Sequence, residues 1–409
     1  MNKKDIAEIK RRLKLEKTTI TRVCGCYVDE KKDIVTTFNR NFLDLEEEEA
    51  HKYLELASKA LSGTPSNNLL ELEFSSDEEI SGGMQSSLVA LKSSGLTDEV
   101  LLNAFYNKLI DNYDTVDHYL ILLFYDNYDV PMKTTDNMTL DDSEEVYEYI
   151  IGCICPVKLS QPGLSFHDAE NRIAPRIRDW VVGAVESGFT FPCFTERSTD
   201  LYHILVYTKN AKEPHTELWE DCLGAMTRFT STQKRNGFLG LVTKAVGEEN
   251  EQTPEVLLDV QQNLCDYVTL KQEYNGNDDP VILEEKDIVE ILEDSGLTES
   301  RSQRIASSYE EMFPEDSTSA EELYEARAIK NNELRKEKKL LQEKVIELND
   351  KLLELGLVDK NGQIIDVAVR IRPDREEAVS TSFIDGRKCL VIPLSTDDTA
   401  TVNGEELSL

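Results

Sequence analysis

The residues with the sharpest chemical promise are two cysteine pairs. Cys24 and Cys26 flank Gly25, and Cys153 and Cys155 flank Ile154. In a strand, residues i and i+2 face the same side, so each pair can present two sulfurs together. If the two strands were neighbours, four thiolates could enclose a structural zinc. A CxC spacing lacks the turn of a zinc knuckle, however, and a free cysteine in an apolar run behaves as a small buried hydrophobe. A second set is acidic. Asp126 and Asp129 follow an apolar run, Asp200 opens another, and Arg197 stands three positions before it. Carboxylates at strand ends can hold a divalent metal, and a guanidinium can hold phosphate, as a metal-dependent hydrolase of phosphate esters or nucleic acid requires. With 79 acidic residues in the chain, chance placement and turn capping explain the same residues.

Other catalytic patterns are weak. Among the histidines, His51, His118, His167, His203 and His215, none belongs to HExxH. There is no GxSxG elbow and no GxxxxGK[ST] phosphate loop. Apart from structural zinc or a catalytic divalent metal, no cofactor is expected.

These residues need elements to position them. Ile20–Val28 and Ile34–Phe42 read as strands around a polar turn at 29–33, and Glu46–Leu61 as an amphipathic helix. Asn68–Phe74 alternates like a short strand. Thr97 is a credible cap for a helix over Asp98–Ile110. His118–Tyr125 and Val146–Val157 read as central strands, and 180–194 and 201–207 as further strand material. Helices follow over Glu217–Leu223, Ser231–Val246 and Pro254–Leu270. The fold class predicted is α+β, with mixed α/β as the neighbouring possibility. A main mixed-sheet domain spans 1–275. The run Asn275–Pro280 marks its end, and a small helical region covers 281–318.

A long heptad-like helix is predicted over 320–356. Leu334, Leu341, Leu348 and Leu355 are seven apart, Val345 and Leu352 supply the second apolar position, and Lys338 interrupts it. Such a stripe packs either within the chain or against another chain. A small β module over 362–409 follows, with strands at 364–371, 379–384 and 389–394, Asp385-Gly386 at a hairpin turn, and a short strand at 400–402.

Long stretches resemble a bacterial family of domains of unknown function, family 4317. They are CGCYV at 24–28, HYLILLFYDNYDVP at 118–131, EVYEYIIGCICPVKLSQPGLSF at 145–166, RDWVVGAVESGFTFPCFTERSTD at 178–200 and FIDGRKCLVIP at 383–393. The resemblance implies a natural bacterial cytosolic fold and supplies no catalytic residues.

Bulk composition narrows the partners. Forty-five basic against 79 acidic residues give a formal charge of -34, which disfavours non-specific binding to nucleic acid or an anionic membrane. Lys10, Arg11, Arg12, Lys14 and Lys17 form a basic island on an N-terminal helix, the one route by which nucleic acid is a possible partner. No run of about 18 apolar residues suggests a membrane span. The opening residues lack the apolar core of a targeting peptide, and eight cysteines do not make a disulfide scaffold. A cytoplasmic location is therefore expected. The function expected first is a protein-interaction or regulatory scaffold, contacting a protein partner or a second copy through Leu334, Leu341, Val345, Leu348, Leu352 and Leu355. The metal-dependent hydrolase is the alternative.

Overall fold

A computed structural model describes residues 1–75, 82–133, 139–168, 171–247, 250, 252–276, 279–313, 319–354, 377–395, 400–402 and 405–407. The architecture is mixed α/β, and the chain divides into two units, Met1–Lys330 and Asn331–Leu409.

The first unit opens with α1 (Lys3–Lys10), capped by Asn2, whose side chain accepts from the backbone N–H groups of Lys4 and Asp5. Strands β1 (Arg22–Val28) and β2 (Ile34–Asn41) form the expected hairpin. Its turn is set by Asp29, whose carboxylate accepts from the backbone N–H groups of Lys31 and Asp33 at 2.9 Å each. Then come α2 (Glu47–Lys59), β3 (Leu69–Glu73), α3 (Met84–Ser93) and α4 (Glu99–Asn112). The cap of α4 is Asp98, one residue past the expected Thr97. Its carboxylate accepts from the backbone N–H groups of both Val100 and Leu101. Long strands β4 (His118–Lys133) and β5 (Thr139–Leu159) pair along most of their length. Short strands follow: β6 (Leu164–His167), β7 (Arg172–Pro175), β8 (Trp180–Val182), β9 (Ser187–Phe191), β10 (Cys193–Thr195), β11 (Ser198–Asp200) and β12 (His203–Thr208).

The main sheet runs β2-β1-β4-β5-β9-β12-β3, with β8 added beside β5, and every pairing within it is antiparallel. Both faces of its central strands are covered. One buries Ile121, Leu123, Ile150 and Ile154 under α3 and α4. The other buries Leu120, Leu122, Tyr149 and Ile151 under α1 and α2. That is why 146–157 reads as a continuous apolar run: both sets of alternating side chains need a greasy neighbour. Two glycines make the sheet fit. A Cβ on Gly25 would lie 2.1 Å from the Phe38 ring, and one on Gly152 would lie 2.1 Å from the Phe189 ring.

Helices α5 (Ser231–Val246), α6 (Thr253–Asn275), α7 (Glu285–Asp294) and α8 (Glu299–Met312) share a separate apolar cluster that includes Phe238, Leu264, Ile291 and Tyr309. Gly276, with φ 68°, ends α6 by a left-handed cap, and the helices on either side of it share this one cluster.

Helix α9 (Ala326–Glu354) runs through the unit boundary and carries the leucine stripe as far as Leu352. The second unit also holds the hairpin β13 (Ser380–Ile384) and β14 (Arg387–Val391), turning at Asp385-Gly386 with both residues at positive φ, as expected. A second hairpin pairs β15 (Ala400–Val402) with β16 (Glu405–Leu407). Leu355 and the strand expected at 364–371 lie outside the described residues.

Candidate functional site

The cysteine pairs do not meet. Cys24 and Cys26 lie in the cluster under α3 and α4, whereas Cys153 and Cys155 lie in the cluster on the opposite face. Strand β4 stands between β1 and β5, and register places Cys24 opposite Leu123 and Cys153 opposite Leu122. A tetrahedral site needs four sulfurs converging on one point, and a sheet separates these two pairs. Each pair does share one face, as strand parity requires. Burial pushes the thiols up, Cys24 to about 12, Cys26 to about 11 and Cys155 to about 12, with Cys153 well above its ordinary value. These groups stay protonated, which suits packing better than nucleophilic or metal chemistry.

The acidic candidates divide similarly. Asp126 is 1% exposed and turns toward α1. It accepts from Thr19 Oγ1 at 2.6 Å, from Tyr149 Oη, and from the backbone N–H of Asn127 at 2.9 Å. Arg12 donates to the same Thr19 hydroxyl and stacks its guanidinium 3.7 Å from the centre of the Tyr128 ring. Tyr128 in turn donates to Glu8 at 2.8 Å. Asp126 is thus the buried end of a network fastening the N-terminal segment to β4 and β5. Asp129, three residues on, is exposed on the other side of the strand. An odd spacing on a strand puts two side chains on opposite faces, so these carboxylates cannot share a metal.

Arg197 and Asp200 belong to the β10–β11 hairpin. Its turn residues, Glu196 and Arg197, have φ of 52° and 65°. Neither is glycine, so the turn carries a conformational cost, here offset by anchoring. Arg197 donates to the Pro131 carbonyl at 2.7 Å and pairs with Glu8 at 3.3 Å. Glu145 accepts from Ser198 at 2.8 Å and from Thr199. Burial alone would raise the Glu145 carboxyl, but these hydrogen bonds hold it below its ordinary value.

Asp200 is the one expected acid that joins a potential metal-ligand group. Its Oδ2 lies 2.8 Å from His203 Nδ1, and with Glu71 the donor atoms of the three residues all fall within 4.8 Å of one another. The sheet creates this proximity. Leu205 pairs with Glu71 and His203 with Glu73, so Glu71 and His203 are diagonal neighbours on one face of β3 and β12. Two carboxylates and an imidazole can in principle hold a divalent cation of the zinc or manganese kind. The same atoms already have partners. Glu71 accepts from the Met1 ammonium and from Thr195 Oγ1 at 3.4 Å, and Asp200 accepts from the backbone N–H of Tyr202 at 3.0 Å. The sequence pattern singles out neither Glu71 nor His203 as a metal ligand. Nothing local to 69–73 points to Glu71, because its partners arrive through a strand about 130 residues away.

The leucine stripe differs from all of these in being open. Leu334, Leu341, Val345 and Leu348 are 55%, 56%, 55% and 53% exposed, and Leu352 is half-buried. Lys338 sits in the same stripe, exposed. The basic island is partly consumed: Arg12 is engaged as described, while Arg11, Lys14 and Lys17 face solvent. Burial, followed by the nearby Lys59, lowers the Lys10 ammonium below its ordinary value. Among the described residues, no helix is long and apolar enough to cross a membrane.

A family model described as a domain of unknown function (DUF4317) matches residues 1–405. No curated protein matches the chain, and no solved structure does.

Proposed function

We propose, for a chain that belongs to the DUF4317 family, the role of a protein-interaction scaffold. The stripe of α9, which lies in the second unit, is the contact surface. The observation behind this reading is the contrast in exposure. Leu341, Val345 and Leu348 each keep more than half their surface in water on successive turns of one helix, while Leu120–Phe124 of the central strand β4 are sealed. Covering such a half-exposed leucine or valine is worth about 1 kcal/mol each, so a partner helix or groove gains several kcal/mol from the stripe. Charged residues on the flanks restrict which partners fit.

The test places a photoreactive amino acid at Gln342, beside the stripe, in the full-length protein in cells. The expected result is a discrete cross-linked product that disappears when Leu341→Glu and Leu348→Glu are added. Absence of a product, or a product indifferent to those substitutions, would overturn the scaffold reading.

One observation favours the alternative, a metal-dependent hydrolase: the grouping of Glu71, Asp200 and His203. In that reading the three hold a divalent ion that activates water, and Arg197 holds substrate phosphate, exchanging Glu8 for it. Metal must then displace the Met1 ammonium from Glu71. Calorimetric titration of chelator-treated protein with Zn²⁺ and with Mn²⁺ tests this. One-site binding abolished by His203→Ala, together with metal-dependent cleavage of a generic phosphate ester, supports it. Absence of one-to-one binding by either ion rejects it.

A further inference from the structure

The open stripe has a charge pattern that names an occupant and an orientation. Resting on the scaffold reading, we infer that α9 pairs with α9 of a second copy as an antiparallel two-helix coiled coil. The first line of argument is the core. Leu334, Leu341 and Leu348 occupy one seam position, and Lys338, Val345 and Leu352 the other. In a parallel pair, equivalent residues share a layer, so Lys338 meets the partner's Lys338 in the seam. In an antiparallel pair the two kinds of seam position alternate across the interface. Leu334 then meets the partner's Leu352, Leu341 meets the partner's Val345, and Lys338 meets the partner's Leu348. The two lysines are then separated by about 15 Å along the axis, beyond a Debye length at 0.1 M salt.

The second line is the flanks. In the parallel arrangement Lys330 faces the partner's Arg335, twice by symmetry, and Glu337 and Lys344 face the uncharged Gln342 and Asn349 of the partner subunit. Neither of those last two encounters joins opposite charges. In the antiparallel arrangement Glu337 faces the partner's Lys351, twice by symmetry, against one central encounter of Lys344 with the partner's Lys344. Lys351 already pairs with Glu347 of its own helix at 2.6 Å, and both are exposed, so its ammonium can bridge the two carboxylates. Core and flanks select the same orientation. Leu334, Leu341, Val345 and Leu348 are exposed along α9.

The experiment uses the full chain. Sedimentation velocity across rising concentration measures association. A spin label at Glu333→Cys, in a Cys265→Ser, Cys389→Ser background, then measures orientation. Antiparallel pairing puts the two labels about 20 residues apart along the axis, hence roughly 30 Å or more. Parallel pairing puts them within about 20 Å, near the width of two helices. The expected result is a dimer with the long distance. Glu337→Lys should weaken it roughly tenfold by turning two attractions into repulsions, and adding Lys351→Glu should restore it. A dimer with the short distance overturns the antiparallel inference. A monomer at every concentration overturns self-pairing. If the Gln342 cross-link to a different protein survives in that case, the scaffold reading stands without it.

Discussion

Strand β4 and helix α9 both advertise themselves by regularly spaced apolar side chains, yet they use them in opposite ways. In β4, Leu120 and Leu122 are buried under α1 and α2, and Ile121 and Leu123 under α3 and α4. In α9, Leu334, Leu341, Val345 and Leu348 stand in water. The same residue type therefore contributes folding free energy in one place and leaves binding free energy unspent in the other. The groups that looked most reactive follow the first pattern. Cys24, Cys26, Cys153, Cys155 and Asp126 are sealed into the sheet, where burial holds the thiols protonated and hydrogen bonds occupy the carboxylate. Chemical residue types in an apolar strand thus mark core, and apolar residues on a charged helix mark a surface for contact.

The comparison breaks first if the core proves tolerant. Leu122 is fully buried, and Leu122→Ala should destabilise the first unit by about 3 kcal/mol, through lost transfer free energy and the cavity left behind. Urea unfolding followed by Trp219 fluorescence measures it. A loss below about 1 kcal/mol would mean that the sheet is loosely packed. Gly152→Ala comes next. Its new methyl would collide with the buried ring of Phe189, and overpacking of this kind costs about 1–3 kcal/mol. Gly25→Ala meets Phe38, whose half-exposed ring has room to swing outward, so the same substitution should cost less there. Equal losses at the two glycines would contradict this account of why each is glycine.

Much of this was legible in advance, and the illegible part has a common cause. The run 146–157 shows its double burial directly, Ser231–Val246 shows helix α5 to the residue, and Asp385-Gly386 shows its turn. What local pattern cannot supply is the order and register of strands. Whether Cys24 and Cys153 share a face depends on β4 lying between their strands. The Glu71–His203 proximity depends on β12 returning beside β3. One miss was avoidable: Asp126 and Asp129 have an odd spacing, which separates them on any strand. The small β10–β11 hairpin carries no such local signal, because its residues Glu196 and Arg197 lack the glycine or asparagine that usually marks such a turn.

A smaller effect sharpens the comparison by pH. The hydrogen bond to Glu217 raises the His215 imidazole above its ordinary value, outweighing burial, which lowers it. Burial alone would raise Glu217, but its hydrogen bonds with His215 and the backbone hold it lower. The imidazole's contribution is therefore fully present below its unfolded pKa near 6.5 and disappears as pH rises through the higher folded value. The Glu217 contribution is present above its unfolded pKa near 4.5 and disappears as pH falls through the lower folded value. The pair should stabilise the first unit most between those unfolded values, by at most about 1 kcal/mol. His215→Gln should flatten the fall in stability above pH 6.5. An unchanged pH profile would show that the pair forms equally in the unfolded chain.

The smallest expected effect is the most informative about α9. Leu341→Gln removes as much apolar bulk as a damaging core substitution, but its site is more than half exposed. At a concentration low enough to leave the chain monomeric, unfolding of the first unit should move by less than about 0.5 kcal/mol. At high concentration the unsubstituted protein should gain protection of α9 amides from hydrogen exchange, since binding stabilises whatever it covers by mass action. The Leu341→Gln protein should lack that gain. If Leu341→Gln instead destabilised the dilute monomer as Leu122→Ala does, the stripe would be part of an internal core. The distinction between a sealed sheet and an open helix would then be lost. Dilution is therefore the decisive control: it separates energy the chain spends on its own fold from energy it holds for another molecule.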